Sequence, residues 1–547
     1  MRNMRWSMAA SGLVVFGALG WVMGCSASSG EDLTDPKLGS NAKPTSGSSS
    51  SSGGGGSPST TSGSGSSGTG GVAPGCDPTD STFVSDMCGV FVALAGKTGA
   101  AGTMTDPLPS LTEGIDAAVK ANKYVFACAD TFNEQVKIKT GLNLFGGRED
   151  CMKGWALKAG GATTISGPVD KIALTIDTPG QVTLENVDVV APAGTKVSKS
   201  SIAVLVSQAE ADFKNCNFTS NDAFAGDDGA MIAYDMQLDG TPGLSGKAVC
   251  APGNHPGGVA VVKSCGGVMS TGGKGGNGGA PGGAAGGNAA DGMVSDAAGV
   301  GTHGNGEGAL ACTPGGQGGP GSKGMDGAGA TGIGSISMSG YLGASGLAGG
   351  AGKPGVGGGG GGGSKGTLIP IITACSITDP TDYFGASGGS GGSGGCGGMA
   401  GNVGGPGGSS IALLVLAAKS VKFDTVTLTP GKGGAGGMGG SGQLGGAQGA
   451  FGIGGDATNG GNLAVGCPSG AGGSGGAGGP GGGGQGGHSL GLASKKGTML
   501  PGMPTYPKTP PQPGAGGLAG SPANDPAVGK GVAGNSTAPT AFVLEFP

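Results

Sequence analysis

Two stretches of this chain align without a gap although they lie far apart. Ile172–Val189 reads IALTIDTPGQVTLENVDV and Ile411–Leu428 reads IALLVLAAKSVKFDTVTL, an offset of 239 positions (411 − 172). A third copy, Ile202–Phe218 (IAVLVSQAEADFKNCNF), fits with one residue deleted. Each copy is a short apolar strand, a small turn and an alternating strand. Such a unit cannot bury its apolar face alone and must stack on its neighbours. The repeat therefore predicts a solenoid to which the rest of the chain is attached.

Composition limits how large that solenoid can be. Glycine accounts for 136 of 547 residues, aromatics for 4% and charged residues for 12%. Glycine adds backbone entropy to be lost and no side chain to bury. An ordinary hydrophobic core must therefore come from a minority of the chain. The net charge of −5 offers no basic footprint for nucleic acid. Among the 12 cysteines no C-x-x-C spacing occurs, which removes the zinc-ribbon and thioredoxin patterns.

Met1–Cys25 has a basic start (Arg2, Arg5), an apolar run from Met8 to Trp21, and the ending Val22-Met23-Gly24-Cys25. That order is that of a secretory signal, and the apolar run is shorter than the roughly 20 residues of a membrane span. The last four residues resemble the lipobox of bacterial lipoproteins. The resemblance implies cleavage before Cys25, lipidation of Cys25 and, with Ser26 following, an outer-membrane or cell-surface location. Removing the leader takes Lys+Arg from 29 to 27 against 34 Asp+Glu, a mature charge of −7. Export favours disulfides, and with Cys25 lipidated 11 cysteines remain (12 − 1), so at least one stays unpaired. The expected organisation is a signal peptide over 1–24, a Ser/Gly-rich tether over 25–75, a capped repeat domain over 76–225, a glycine-rich insertion over 226–408, a further coil over 409–430 and a glycine-rich array with a terminal strand over 431–547.

Cys76 and Cys88 bracket a short segment and are candidates to close a small loop. Ser110-Leu111-Thr112-Glu113 is a capping box, and Leu111, Ile115, Ala118 and Val119 follow at helical spacing, so a helix is predicted to about Asn122. Strands are predicted at Tyr124–Ala127, Gln135–Lys139 and Gly141–Phe145. The order DPLPSLTEGIDAA, YVFACADTFNEQVKI, GLNLFGG resembles the opening of pectin-lyase-like parallel β-helix proteins, as do LENVDV, FKNCNF and FDTVTL. The resemblance covers roughly Asp106–Asn221 and Ser409–Thr429. It implies an all-β fold, a right-handed parallel β-helix with an N-terminal capping helix. It further implies a staple between Cys128 and Cys151, and an internal hydrogen-bonded ladder at the equivalent positions Asn186, Asn215 and Thr425. Cys216 aligns with Val187 and Val426 and is expected as a buried thiol. An antiparallel β-sandwich is the competing fold, and the ungapped repeat argues against it.

From about Gly226 to Ser410, and again from Gly431, glycine recurs in triplets: GGKGGNGGA at Gly272–Ala280, GGSGGSGGCGGM at Gly388–Met399 and GGSGGAGGP at Gly472–Pro480. A three-residue period matches an extended three-fold helix. Packed side by side, such chains would form polyglycine II helices; a disordered linker is the competing reading. Apolar interruptions at Gly258–Cys265, Thr367–Ile377, Ile411–Leu428, His488–Ala493 and Ala541–Phe546 would supply anchors. The whole chain also resembles PGRS-type glycine-rich surface lipoproteins of bacteria.

Chemistry-bearing motifs are sparse. The G-x-S-x-G matches at Ser390 and Ser474 lack the strand-to-helix setting of a nucleophile elbow. His255, His303 and His488 sit in or beside glycine-rich sequence and read as structural. Asp227-Asp228 is the strongest acidic pair, with a turn as its bland reading. Glu185, Asp188, Lys214, Lys422 and Asp424 are scattered singles. No catalytic, cofactor or metal residue is assigned. The expectation is a non-enzymatic, lipid-anchored surface protein with a structural or adhesive role. Its partners would be the membrane, through Cys25, and extracellular polysaccharide or other surfaces. The alternative is a polysaccharide lyase or glycoside hydrolase. Ice or mineral binding ranks below both.

Overall fold

A computed structural model describes residues 76, 84–249, 251–295, 299–367, 384–457, 464–521, 527, 529–535 and 541–547. The signal peptide, the tether and Cys25 lie outside these residues, as do Cys250, Cys375 and most of Thr367–Ile377.

Three sheets are built from parallel neighbours. The first runs Gly89–Val92, Tyr124–Cys128, Leu142–Glu149, Gln181–Glu185, Glu210–Lys214, Ser420–Asp424. The second runs Thr131–Phe132, Thr163–Ser166, Val187–Val190, Asn217–Thr219, Thr427–Thr429. The third runs Val136–Ile138, Leu174–Asp177, Ser201–Ser207, Ser410–Val415, Ser489–Lys495, Val543–Phe546. Alternation sends one side of each strand into a shared core that includes Leu144, Val182, Leu184, Val187, Phe213, Phe218, Val421 and Leu428. Burying one such side chain contributes about 1.5–3 kcal/mol. The repeats lie in register, Ile202 beside Ile411 and Val204 beside Leu174. The pairing steps from Asp177↔Ser207 to Gln181↔Glu210, so the missing residue falls in the intervening turn.

The expected all-β right-handed parallel β-helix with polyglycine II arrays needs correction. The architecture is a combination of parallel and antiparallel sheets with an α-helix, and the described strands close no barrel. Val262–Cys265, Val268–Thr271, Gly292–Val294 and Val300–Gly301 form an antiparallel sheet, Ser335–Ser337 and Gly340–Leu342 a hairpin, and Ala156–Leu157 pairs antiparallel with Leu142–Glu149. The parallel stack is not continuous along the chain either. Its strands at 217–219 and 410–415 are separated by the long glycine-rich insertion. Glycine provides no side chain to fill a coil, so these segments make their own body instead of further coils.

Within that body extended chains bond to one another at every third residue. Gly349, Gly352, Gly355, Gly358 and Gly361 donate to Gly401, Gly398, Gly395, Gly392 and Gly389, an antiparallel pairing. Gly392, Gly395, Gly398, Gly401 and Gly404 in turn donate to Gly470, Gly473, Gly476, Gly479 and Gly482, a parallel one. Serine at the third triplet position supplies a further acceptor to a neighbouring chain. The buried hydroxyls of Ser387, Ser390 and Ser393 accept the N–H groups of Lys247, Leu244 and Thr241 at 2.7–2.9 Å. Disulfides Cys265–Cys396 and Cys312–Cys467 tie the glycine chains to each other and to the antiparallel sheet.

The single α-helix among the described residues, Leu111–Ala121, is capped twice at its start. Ser110 Oγ accepts from Glu113 N, and the Glu134 carboxylate accepts the N–H groups of Leu111 (2.7 Å) and Thr112 (3.0 Å). It ends on Asn122 in the left-handed region, φ 53°. Leu111, Ile115 and Ala118 face the core, whereas Val119, expected with them, is exposed. Outside the first sheet a second cluster gathers Phe91, Tyr124, Phe126, Phe145 and Trp155 under disulfides Cys76–Cys88 and Cys128–Cys151. Arg148 lies over the Phe126 ring at 5.2 Å, and burial draws its guanidinium below its ordinary pKa against the pull of Glu185.

Candidate ligand groove

One lateral row of the third sheet organises the site. Pairing registers set Lys137, Thr175, Leu205, Leu414, Ala493 and Leu544 side by side. The row is polar at one end and apolar at the other. Val136 and Ile138 are buried, so Lys137 between them points outward. Over the apolar end sits the hairpin, whose Ile336 and Tyr341 pack with Ile202, Leu205, Ile411, Leu414 and Phe546. Its tip, Met338 and Ser339, reaches over the polar end and walls a depression of 450 Å³ floored by Lys137, Thr175 and Ile172. A second depression of 380 Å³ shares Asp170, Lys171, Ile172 and Ser339 with it and continues past Lys199. A third, of 360 Å³, shares Lys139 and continues to Lys123.

The charges along this run are unequal in their commitments. Asp170 Oδ1 accepts from Thr195 Oγ1 and from Ser198 N (3.2 Å), which fixes the 195–198 loop. Asp177 Oδ1 accepts from Gln208 Nε2 at 3.1 Å. Lys199 pairs with Asp227, and Lys123 donates to Asp86 O at 2.7 Å. Lys137, Lys139 and Lys171 are exposed and form no ion pair with any described residue.

The hairpin is held by His488, which joins the glycine body to the third sheet. Its ring packs edge-on to Tyr341 at 5.2 Å and Phe546 at 5.7 Å. Nδ1 accepts the Asn535 N–H at 2.7 Å and Nε2 donates to Ile333 O at 2.7 Å, so the neutral tautomer satisfies both nitrogens. Burial lowers its pKa below the ordinary histidine value, with Ile333 O and Asn535 opposing. A histidine that binds its proton less tightly when folded contributes stability above the unfolded pKa and loses it as pH falls through the folded one. Wild-type protein is therefore expected to lose denaturation midpoint between about pH 7 and pH 5 more steeply than His488→Gln. Equal slopes for the two proteins would show that this ring does not carry the effect.

Other residues singled out in the sequence take structural places. Asn186, Asn215 and Thr425 share a left-handed backbone (φ 56°, 51°, 56°) at the corner between the first and second sheets. The expected internal side-chain ladder is not the arrangement found there. Asn215 and Thr425 are exposed, Thr425 Oγ1 turns to Asp424, and the bonds running along the stack are main-chain ones, Asn186 N to Lys214 O and Asn215 N to Asp424 O. Asparagine suits such a backbone better than most residues. Asp227 is engaged by Lys199, which holds its carboxyl below the usual range, and Asp228 accepts Met438 N at 2.7 Å. Glu185, Lys214 and Asp424 stand in register across three strands, and Asp212 and Lys422 across two, so opposite charges face each other. His255 is buried with its ring nitrogens 2.8 and 2.7 Å from the carbonyls of Gly385 and Ala251, and His303 pairs with Asp291. Burial pushes the Cys216 thiol up to about 12.

The groove lysines went unmarked in the sequence. The available signal was the alternation Val136-Lys137-Ile138-Lys139, which alone places two lysines outside a strand. No family model, curated protein or solved structure matches the chain.

Proposed function

We propose that this is a non-enzymatic, lipid-anchored protein of the outer membrane or cell surface. Its role is structural or adhesive, through contacts with extracellular polysaccharide or other surfaces. The observation that supports this reading is the run of three adjoining depressions, two of them beside the hairpin, which share lining residues and so offer one ligand contacts in more than one of them. Many weak contacts along such a run suit adhesion. The engagement of Asp227 and Asp228 in bonds between segments supports a scaffold role for that pair. The anchor assignment rests on the Val22-Met23-Gly24-Cys25 sequence.

The test incubates the mature chain from Ser26 with neutral and acidic polysaccharides, with and without Ca²⁺. Co-sedimentation without new reducing ends or unsaturated products is the expected result. Turnover that survives purification would overturn the reading in favour of a lyase or hydrolase.

A further inference from the structure

We infer that the groove binds an anionic polysaccharide, whose acid groups are held by Lys137, Lys139 and Lys171. This rests on the adhesive reading and names its ligand class. Three observations carry it. First, these lysines line one depression, and Lys139 and Lys171 are also the residues through which it passes into the next depression on either side. Second, the linings of the three depressions together hold five lysines (Lys123, Lys137, Lys139, Lys171, Lys199) against two carboxylates (Asp170, Asp177), a net charge of +3 (5 − 2), so the lysine charge is only partly compensated. Third, the molecule as a whole carries −5, so a positive strip on it is a local feature and not part of a general polyanion affinity.

Sugar recognition needs more than charge, and the floor provides it. Thr175 offers a hydroxyl between Lys137 and the apolar part of the row. Met338 supplies an apolar wall at the hairpin tip. Lysine ammonium groups are flexible point charges and do not require one acid geometry. Carboxylate and sulfate polymers therefore share the chemistry, and the assay separates them.

The experiment measures binding of the mature chain to alginate, dextran sulfate, neutral dextran and duplex DNA, without Ca²⁺, at low and at moderate salt. Two variants are compared, Lys137→Gln/Lys139→Gln/Lys171→Gln and the control Lys495→Gln/Lys496→Gln/Lys508→Gln, which removes equal charge elsewhere. The groove variant is expected to bind one or both acidic polysaccharides about tenfold more weakly, with little change in the control, and added salt should erase most of the difference. The ratio of alginate to dextran sulfate affinity assigns the acid group. Equal losses in both variants, or a preference for duplex DNA, would overturn the inference. Dextran bound as tightly as alginate and insensitive to the substitutions would overturn it while leaving the adhesive reading in place. Binding to none of the polysaccharides would overturn the inference and, with it, the polysaccharide part of the adhesive reading. Thermal unfolding of each variant checks that the fold is intact.

Discussion

Replacing Gly318 with alanine is expected to destabilise the protein by about 3 kcal/mol, and replacing the adjacent Gly319 to change stability by less than about 0.5 kcal/mol. The two residues belong to one triplet and differ only in what surrounds them. Gly318 is buried, donates to Ala471 O, and a Cβ on it would lie 2.7 Å from the Val356 carbonyl carbon and 2.8 Å from Gly357 O. Those are backbone atoms of a neighbouring chain, itself bonded on its other sides, so neither can move away cheaply. Gly319 is exposed, and a Cβ there meets nothing within 4 Å. Alanine at Gly319 also reduces the freedom of the unfolded chain, which offsets any small loss. Chemical denaturation of the two single variants decides the matter. Equal effects would mean that the close packing of triplet chains is not what stabilises this region.

Removing Cys265–Cys396 by alanine substitution at both positions is expected to cost up to about 5 kcal/mol, and removing Cys312–Cys467 a similar amount. The bridges span 131 and 155 residues, so each withdraws a large loop entropy from the unfolded chain. Glycine makes that entropy larger than usual, because it is the residue with most freedom to lose. The bridges overlap in sequence, so their joint removal should cost less than the sum. Chemical denaturation of the mature chain with and without a thiol reductant reads the effect. An unchanged midpoint after complete reduction would show that hydrogen bonding among the glycine chains holds the body together unaided.

The sequence was most informative where side chains dictate position. The spacing of Ile172, Ile202 and Ile411 carried the register of the third sheet, because apolar alternation leaves one alignment in which every core residue stays inside. The Ser110 capping box marked the helix start, although Glu134, a second cap from beyond the following strand, could not be read from local sequence. The combination of sheets was not legible. Strands such as Gly292–Val294 and Gly340–Leu342 contain glycine and too few residues for a period to emerge. The corner positions looked like a side-chain ladder because asparagine recurs, yet asparagine also favours the left-handed backbone found there. The groove was hidden for a different reason. Its floor comes from the strands around Lys137 and Thr175, and its wall from Met338, which reaches them only after folding.

The bonding of glycine chains at every third residue has a consequence for how this protein can vary. Shifting one chain by a whole triplet presents the same main-chain donors and acceptors to its neighbours and keeps residues with side chains at the third position of each triplet. A shift of one or two residues drives a side chain into a slot sized for hydrogen. Lengthening or shortening a chain by three residues would therefore preserve the lattice of main-chain bonds, whereas a change of one or two residues would break its register. Triplet number is thereby the dimension along which the main-chain lattice tolerates change, between the points where disulfides and buried serines fix one chain against another.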